Sequence, residues 1–387
     1  MIHLTAVLSV DFGNSETRGS VRFASDDQGT TVDSKFTLSN WFSKIPDNYT
    51  PPEDYTSEDS TVIRFLEGDL KGTYANGDLC DKEFARSSSR PTALEKKYSN
   101  IYTPLSFSLA VLKATEIIAK AWGVTDLRDL DITWTVVALL PPSDVEIGKD
   151  LVPEVLKSVG VVEYLLPKLT LNIKVANVHV HPEGFCAFVG AVFESGMSVR
   201  QGYENLLTET VLVMDIGAGT TDLMLVSKGR VIDNSKNTIA TGGNQVLQLV
   251  KKHLRDVLSL DLPESLISEG LKTGIVKDGT QEVNIVSVVE TAERQVADRL
   301  VVATKDYFEE IQFPLRTISA LLACGGGSMS RSSAVPLSDM LVDFLKHLAP
   351  NIALVPSPKV VDEFGNGVFV SPRELNINGA SILAELV

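Results

Sequence analysis

The sequence predicts an α/β protein built from two related lobes, and three observations carry that prediction. A strand, an acidic residue, a glycine-bearing turn and a returning strand follow one another twice, opening at Asp11 and again at Asp215. Apolar, β-branched runs alternate with stretches whose apolar residues recur at helical spacing. The length of 387 residues, 44% of them hydrophobic, suffices for two cores of ordinary size.

Thr5–Val10 is an apolar strand that ends at Asp11. Gly13, Asn14 and Ser15 supply turn chemistry, and Thr17–Phe23 alternates as the returning strand. From Ala24 to about Asn100 the chain turns polar and rich in Ser, Asp, Thr and Pro, which reads as an inserted small subdomain with long loops. Helical spacing then runs from Leu105 to Trp122, with Gly123 as the C-cap. Asp131–Leu140 is a continuous apolar strand stopped by Pro141 and Pro142. Ser143 followed by Glu146 spells a capping box for a helix that reaches Val159. Asn172–Val180 is a strand leading through His181, Pro182 and Glu183 to a helix over Phe185–Phe193.

In the second half, Thr208–Met214 is a strand ending at Asp215, and Asp222–Val226 returns after a Gly/Thr turn. Thr241, Gly242, Gly243 and Asn244 precede a helix over Gln245–Leu258. Glu282–Glu309 is charged, periodic and helical. Thr317–Ala323 is a buried strand running into Gly325, Gly326 and Gly327.

Charge and cysteine usage narrow the function. Fifty acidic residues against 35 basic give a formal net charge of −15. Such a surface repels phosphate backbones, so broad direct contact with nucleic acid is not expected. Cys80, Cys186 and Cys324 are far apart and lack metal-ligand spacing, as suits buried thiols in a reducing cytoplasm. The longest apolar stretches, such as Ile132–Leu140, fall short of the roughly 20 residues of a spanning helix. Met1–Asp11 has no basic leader pattern and reads as a core strand, and Asn376–Val387 carries no Lys or Arg for an amphipathic anchor. A cytoplasmic protein without a membrane partner is the expectation.

The two turns suit a nucleotide phosphate tail. Phosphate oxygens need backbone N–H groups at close range, and glycine lets the backbone come near. Hydroxyls add donors, and carboxylates hold a divalent metal directly or through its water. Asp11, Gly13, Asn14 and Ser15 offer one carboxylate and a small polar tip. Asp215, Gly217, Gly219, Thr220, Thr221 and Asp222 offer two carboxylates, two glycines and two hydroxyls. An ordinary hairpin turn is the alternative for each. Neither is a Walker loop, because no G-x-x-x-x-G-K-[ST] occurs. Gly325, Gly326 and Gly327 can form a flat platform for adenosine, or else a plain strand-to-helix loop.

The order Asp-Phe-Gly-Asn-Ser, Pro-Glu-Gly, Asp-Ile-Gly-Ala-Gly-Thr-Thr-Asp and Gly-Gly-Gly-Ser resembles the actin/Hsp70/sugar-kinase ATPase superfamily, where these are the phosphate 1, connect 1, phosphate 2 and adenosine motifs. Asn376-Ile-Asn-Gly379 is similar to its connect 2 motif. The resemblance implies a two-lobed actin-like fold, duplicated ribonuclease-H-like cores with a nucleotide cleft between the lobes. It places lobe I at 1–185 with the insert at about 24–100, lobe II at 186–370, and a returning segment at 371–387.

It also implies roles. Asp11 faces the metal–phosphate end, with Gly13, Asn14 and Ser15 around the β-phosphate and Arg18 near phosphate. Asp215 orders the water shell of Mg2+, while Gly217, Gly219, Thr220 and Thr221 contact phosphate, and Gly242 and Gly243 belong to the nucleotide-binding set. Gly325, Gly326 and Gly327 hold adenosine. Glu183 stands where actin-like proteins carry the residue that positions the attacking water, and Asp222 assists it. For Glu183, a helix N-terminal carboxylate stabilised by the helix dipole is the alternative, and for Asp222 a plain strand residue. The implied ligands are ATP, with GTP as the alternative nucleotide, and Mg2+.

Within the superfamily, the chain is most similar to the ParM/StbA type of DNA-segregating bacterial actin. The features are the polar insert, Gly72-Thr-Tyr-Ala-Asn-Gly77, Lys97-Tyr98, Leu139–Pro142 and Pro182-Glu183. That type implies an ATPase whose dynamic filaments segregate plasmid or phage DNA, with itself and a DNA-binding adaptor as partners. A sugar- or acetate-kinase-like phosphotransferase, a chaperone-type ATPase and an MreB-like cell-shape filament are the alternatives.

Overall fold

The protein is described by a computed structural model covering residues 2–13, 16–24, 31–52, 60–68, 70–84, 87–89, 101–279, 281–361 and 367–387. The chain divides into two compact units. Unit 1 comprises Met1–Leu140, Asp144–Pro182 and Ala380–Val387, and unit 2 comprises Pro141–Ser143 and Glu183–Gly379.

Unit 1 contains β1 (Ile2–Phe12), β2 (Glu16–Ala24), β3 (Thr31–Ser39), β4 (Phe42–Ile45), β5 (Ser60–Phe65), β6 (Gly72–Gly77), α1 (Asp78–Lys82), α2 (Tyr102–Trp122), β7 (Leu130–Leu140), α3 (Val145–Ser158), β8 (Val161–Leu166), β9 (Leu169–Asn172) and β10 (Lys174–Pro182). The main sheet runs β10-β7-β1-β2-β3. β1 pairs antiparallel with β2 but parallel with β7, and β7 pairs parallel with β10. β1 and β7 are central and buried at their C-terminal ends, which is why they read as continuous apolar runs. β3, at the edge, alternates exposed and half-buried residues.

Described residues of the polar stretch are more ordered than its composition suggests. β3 joins the main sheet, whereas β4, β6 and β5 form a second sheet completed by β8 and β9. Helix α2 buries Leu105, Phe107, Val111 and Ile118 and ends at Gly123 in the left-handed conformation, φ 64°. The helix expected to start from Ser143, with Glu146 in its capping box, has Asp144 as its N-cap. The Ser143 hydroxyl pairs with that of Thr238 at 2.9 Å, Glu146 pairs with Lys149 at 2.8 Å, and the helix begins after Asp144 without a side-chain cap bond.

Unit 2 contains α4 (Glu183–Val192), β11 (Thr210–Ile216), β12 (Thr221–Ser227), β13 (Arg230–Val231), β14 (Asn237–Ile239), α5 (Asn244–Leu258), α6 (Glu264–Thr273), β15 (Ile275–Asp278), β16 (Gln281–Asn284), α7 (Val286–Glu310), β17 (Ala320–Cys324), α8 (Leu337–Leu345), β18 (Ala353–Leu354), β19 (Lys359–Val361), β20 (Gly367–Phe369) and α9 (Leu375–Leu383), whose last turn belongs to unit 1. Its sheet runs β13-β12-β11-β17-β18, with β14 also on β12. β11 is antiparallel to β12 and parallel to β17, and β17 is parallel to β18. The sheets of the two units therefore repeat one plan: a central hairpin, two parallel strands on one side and antiparallel additions on the other. The helix expected over Glu282–Glu309 starts at Val286. Gln281–Asn284 pairs with Ile275–Asp278 instead, and the Asn284 side chain accepts the Val286 N–H at 3.1 Å.

Helices α4 and α9 touch through glycines within unit 2. A Cβ at Gly379 would overlap the Cys186 carbonyl, and one at Gly190 would overlap that of Leu375. Both obstacles are backbone and cannot rotate away. Gly379→Ala should therefore destabilise the protein by at least about 1–3 kcal/mol, the range of overpacked cores. A lowered midpoint in thermal denaturation checks this, and an unchanged midpoint contradicts the close crossing.

Candidate functional site

The first hairpin turns between Phe12 and Thr17, which face each other across β1 and β2, as do Asp11 and Arg18. Asp11 is buried, 4.0 Å from the Arg18 guanidinium, whose other amino group meets Glu16 at 3.1 Å. The turn is held from behind by a side chain that no local signal marks. Buried Asn40 donates to the Gly13 carbonyl at 2.5 Å. Its own carbonyl oxygen accepts from the Thr17 hydroxyl at 2.8 Å and the Ser106 hydroxyl at 2.9 Å. Asn14 and Ser15, expected at the phosphate, lie outside the described residues.

The second hairpin pairs Asp215 with Asp222 and Ile216 with Thr221. The Gly217 N–H donates to the Thr220 carbonyl at 2.8 Å and closes the turn. The Gly217 and Ala218 carbonyls accept from Gly243 N–H at 2.9 Å and Asn244 N–H at 2.8 Å, which ties the turn to the start of α5. Gly242 is required there, because a Cβ would stand 2.7 Å from the Gly217 oxygen and 2.8 Å from Thr220 N. Gly219, at the exposed tip, has nothing within 4 Å of such a Cβ. The Thr221 side chain is buried and its hydroxyl donates to the Thr241 carbonyl at 2.7 Å. Asp222 accepts from the Thr238 hydroxyl at 2.5 Å. The Thr221 and Asp222 side chains thus brace the turn from within.

The glycine loop after β17 lies against this hairpin. Gly325 has φ 83° and ψ 164°, a region essentially restricted to glycine. A Cβ there would overlap an oxygen of Asp215 and stand 2.5 Å from the Ile216 carbonyl. A Cβ on Gly327 would meet the Gly217 and Ile216 carbonyls, each at 2.8 Å. Asp215 is further held by Asn376, whose Nδ2 donates to Oδ2 at 2.5 Å. The Asn376 and Asn378 side-chain oxygens are buried without hydrogen-bond partners among the described residues. Asp215, Gly217, Gly219, Thr220, Gly242, Gly243, Gly325 and Gly327 thus share one locality in unit 2. Gly326 is exposed, with Arg373 4.0 Å from where its Cβ would stand.

Glu183 is the buried first residue of α4. Two residues earlier, burial pushes the His181 imidazole below the usual histidine range, with His179 adding to the shift, so this ring favours its neutral form. The glycine cradles beside one buried carboxylate suit a polyphosphate and its cation. No group of three or more His, Cys, Asp or Glu stands together among the described residues. An Mg2+ held through phosphate oxygens and water needs only one or two carboxylates.

The glycine requirement is separable along the loop. Gly325→Ala should cost about 1–3 kcal/mol for the backbone conformation alone, with the contact against Asp215 in addition. Gly326→Ala should stay within about 0.5 kcal/mol, as for a surface change. Denaturant titration of the two variants checks the difference, and equal midpoints contradict it.

Residues 213–335 match the family model described as archaeal actin homologue MreB-like, C-terminal. No curated protein matches the chain. Among solved structures, the archaeal actin homologue Ta0583 is 13% identical and superposes with a TM-score of 0.67, covering 99% of this chain and 100% of its own. ParM from Bacillus thuringiensis, solved with ATP, is 15% identical with a TM-score of 0.61, covering 99% and 98%. ParM from Clostridium botulinum, solved as a 15-stranded filament, is 14% identical with a TM-score of 0.62, covering 99% and 100%. The likeness spans both units, and the chain is a two-lobed α/β protein of the actin-like fold with similarity to ParM-type and archaeal actins.

Proposed function

We propose that the chain binds and hydrolyses a nucleoside triphosphate, ATP with GTP as the alternative, and couples this to assembly into dynamic filaments that position plasmid or phage DNA. The observation that carries the reading is the meeting of two glycine turns at one buried carboxylate, with Gly325 against the Asp215 carboxylate and Gly327 against the Ile216 side chain and the Ile216 and Gly217 carbonyls. The exposed turn tip at Gly219, with nothing within 4 Å of a Cβ, leaves backbone open to a phosphate tail, and Asp215 suits the water shell of its Mg2+. In this reading Gly217, Gly219, Thr220, Gly242 and Gly243 surround phosphate, and Gly325, Gly326 and Gly327 receive the nucleoside. Asp11, Gly13, Asn14, Ser15 and Arg18 have the corresponding task in the other hairpin. Thr221 and Asp222 act through the braces they form with Thr241 and Thr238. Glu183 orients the attacking water or accepts its proton.

Assembly is supported by the fold shared with a ParM solved as a filament. The net charge of −15 favours grip on DNA through a separate basic adaptor. Among the described residues no helix is long and apolar enough to cross a membrane. The match of residues 213–335 to an MreB-like model favours a cell-shape filament as the second reading.

Light scattering and phosphate release, followed together after adding ATP and Mg2+, test the proposal. Scattering should rise on nucleotide addition and fall as phosphate accumulates. Hydrolysis without assembly would replace the filament by a phosphotransferase or chaperone-type ATPase. Glu183→Ala should leave ATP binding intact and slow hydrolysis by about 100-fold or more, giving long-lived filaments. Unchanged turnover would remove Glu183 from the chemistry.

A further inference from the structure

Glu293, Arg331 and Ser333 have no task in the reading above, yet they meet directly behind the glycine loop. Glu293, on α7, is 0% exposed. One of its oxygens accepts from Arg331 Nη1 at 2.7 Å and the other from the Ser333 hydroxyl. Arg331 Nη2 donates to the Gly327 carbonyl at 3.2 Å. A Cβ on Gly243 would stand 3.1 Å from that same Nη2 and 2.9 Å from the Gly327 Cα. A single guanidinium therefore joins α7 to the glycine loop and lies beside the approach to α5.

Stability is a poor reason for such a pair. Each buried ion loses several kcal/mol of hydration, and apolar residues of similar volume are often as stable. Geometry is the better reason. The planar arginine fork holds two acceptors in a set direction, which a lysine cannot do. Gly327 has no side chain to lock it and is intrinsically permissive. Its carbonyl is gripped from the side, and any displacement of Gly327 reaches the Ile216 and Gly217 carbonyls it crowds.

We propose that Glu293, Arg331 and Ser333 form a positioning tether that fixes the loop Gly325–Gly327 and thereby sets the affinity for the nucleoside end of the ligand. This inference rests on the nucleotide-binding reading of the site. The three residues act through Gly327 and touch no reacting atom.

Two variants test it. Arg331→Lys keeps the charge opposite Glu293 but cannot span both acceptors. The double variant Glu293→Leu/Arg331→Met replaces the pair by apolar groups and keeps the interior filled. Calorimetric titration with MgATP should show about tenfold weaker binding in both, the loss of one hydrogen bond to a charged group. Melting temperatures should stay close to wild type. If either folded variant binds MgATP as tightly as wild type, the tether is overturned. Amide hydrogen exchange in the nucleotide-free protein separates this failure from failure of the site reading. The Gly325 N–H, bonded to the Pro372 carbonyl, and the Ser328 N–H, bonded to that of Gly325, should exchange faster in both variants. Should the wild type bind no MgATP, the nucleotide reading falls, and unchanged protection of these amides would then overturn the tether as well.

Discussion

Asp215 is a buried carboxylate packed against a backbone that carries no side chain, and much of unit 2 is arranged to keep it so. Gly325 occupies a conformation reserved for glycine, and any Cβ there would also fall on Asp215. Asn376 reaches the other carboxylate oxygen from the start of α9. That helix lies against α4 at Gly190 and Gly379, so backbone contact fixes the distance from which Asn376 acts. A charge buried this far requires partners in place, since leaving it bare costs more than any single packing defect nearby.

The two hairpins share a plan but are supported by different chemistry. In unit 1 a side-chain network holds the turn, with Asn40 serving Gly13, Thr17 and Ser106 together. In unit 2 the backbone at the start of α5 holds it, through the Gly243 and Asn244 amides. The second solution needs glycine wherever loops converge, which is why this half is the richer in glycine motifs. The first needs only small polar residues placed far apart in the chain, and it leaves almost no local pattern.

The legible and illegible parts divide along the same line. Both hairpins, the Gly123 cap and the glycine loop after β17 are local, and local residue chemistry announces them. Asn40 and Arg331 are single polar residues whose partners lie elsewhere in the sequence. Nothing in their neighbours distinguishes them from surface side chains. Ser143 misleads by one residue: its local signature is a helix cap, but the helix takes Asp144 as its N-cap, and the Ser143 hydroxyl pairs with Thr238, remote in sequence. The charged run from Glu282 misleads at its boundary, because pairing with β15 draws Gln281–Asn284 into a strand.

The sequence by itself determined the α/β class, the paired hairpins, the resemblance to actin-like proteins and the glycines on which the site is built. The resemblance rests on the order of the motifs, and the rest follows from short-range sterics: strands need alternating or continuous apolar runs, and close backbone approach needs glycine. Tertiary structure alone decided what those glycines are close to, which carboxylate they enclose, and which distant polar groups hold the loops in place. Those contacts bring together segments tens to hundreds of residues apart, and a buried hydrogen bond between such segments is specified by the packing of the whole unit rather than by the residues beside it.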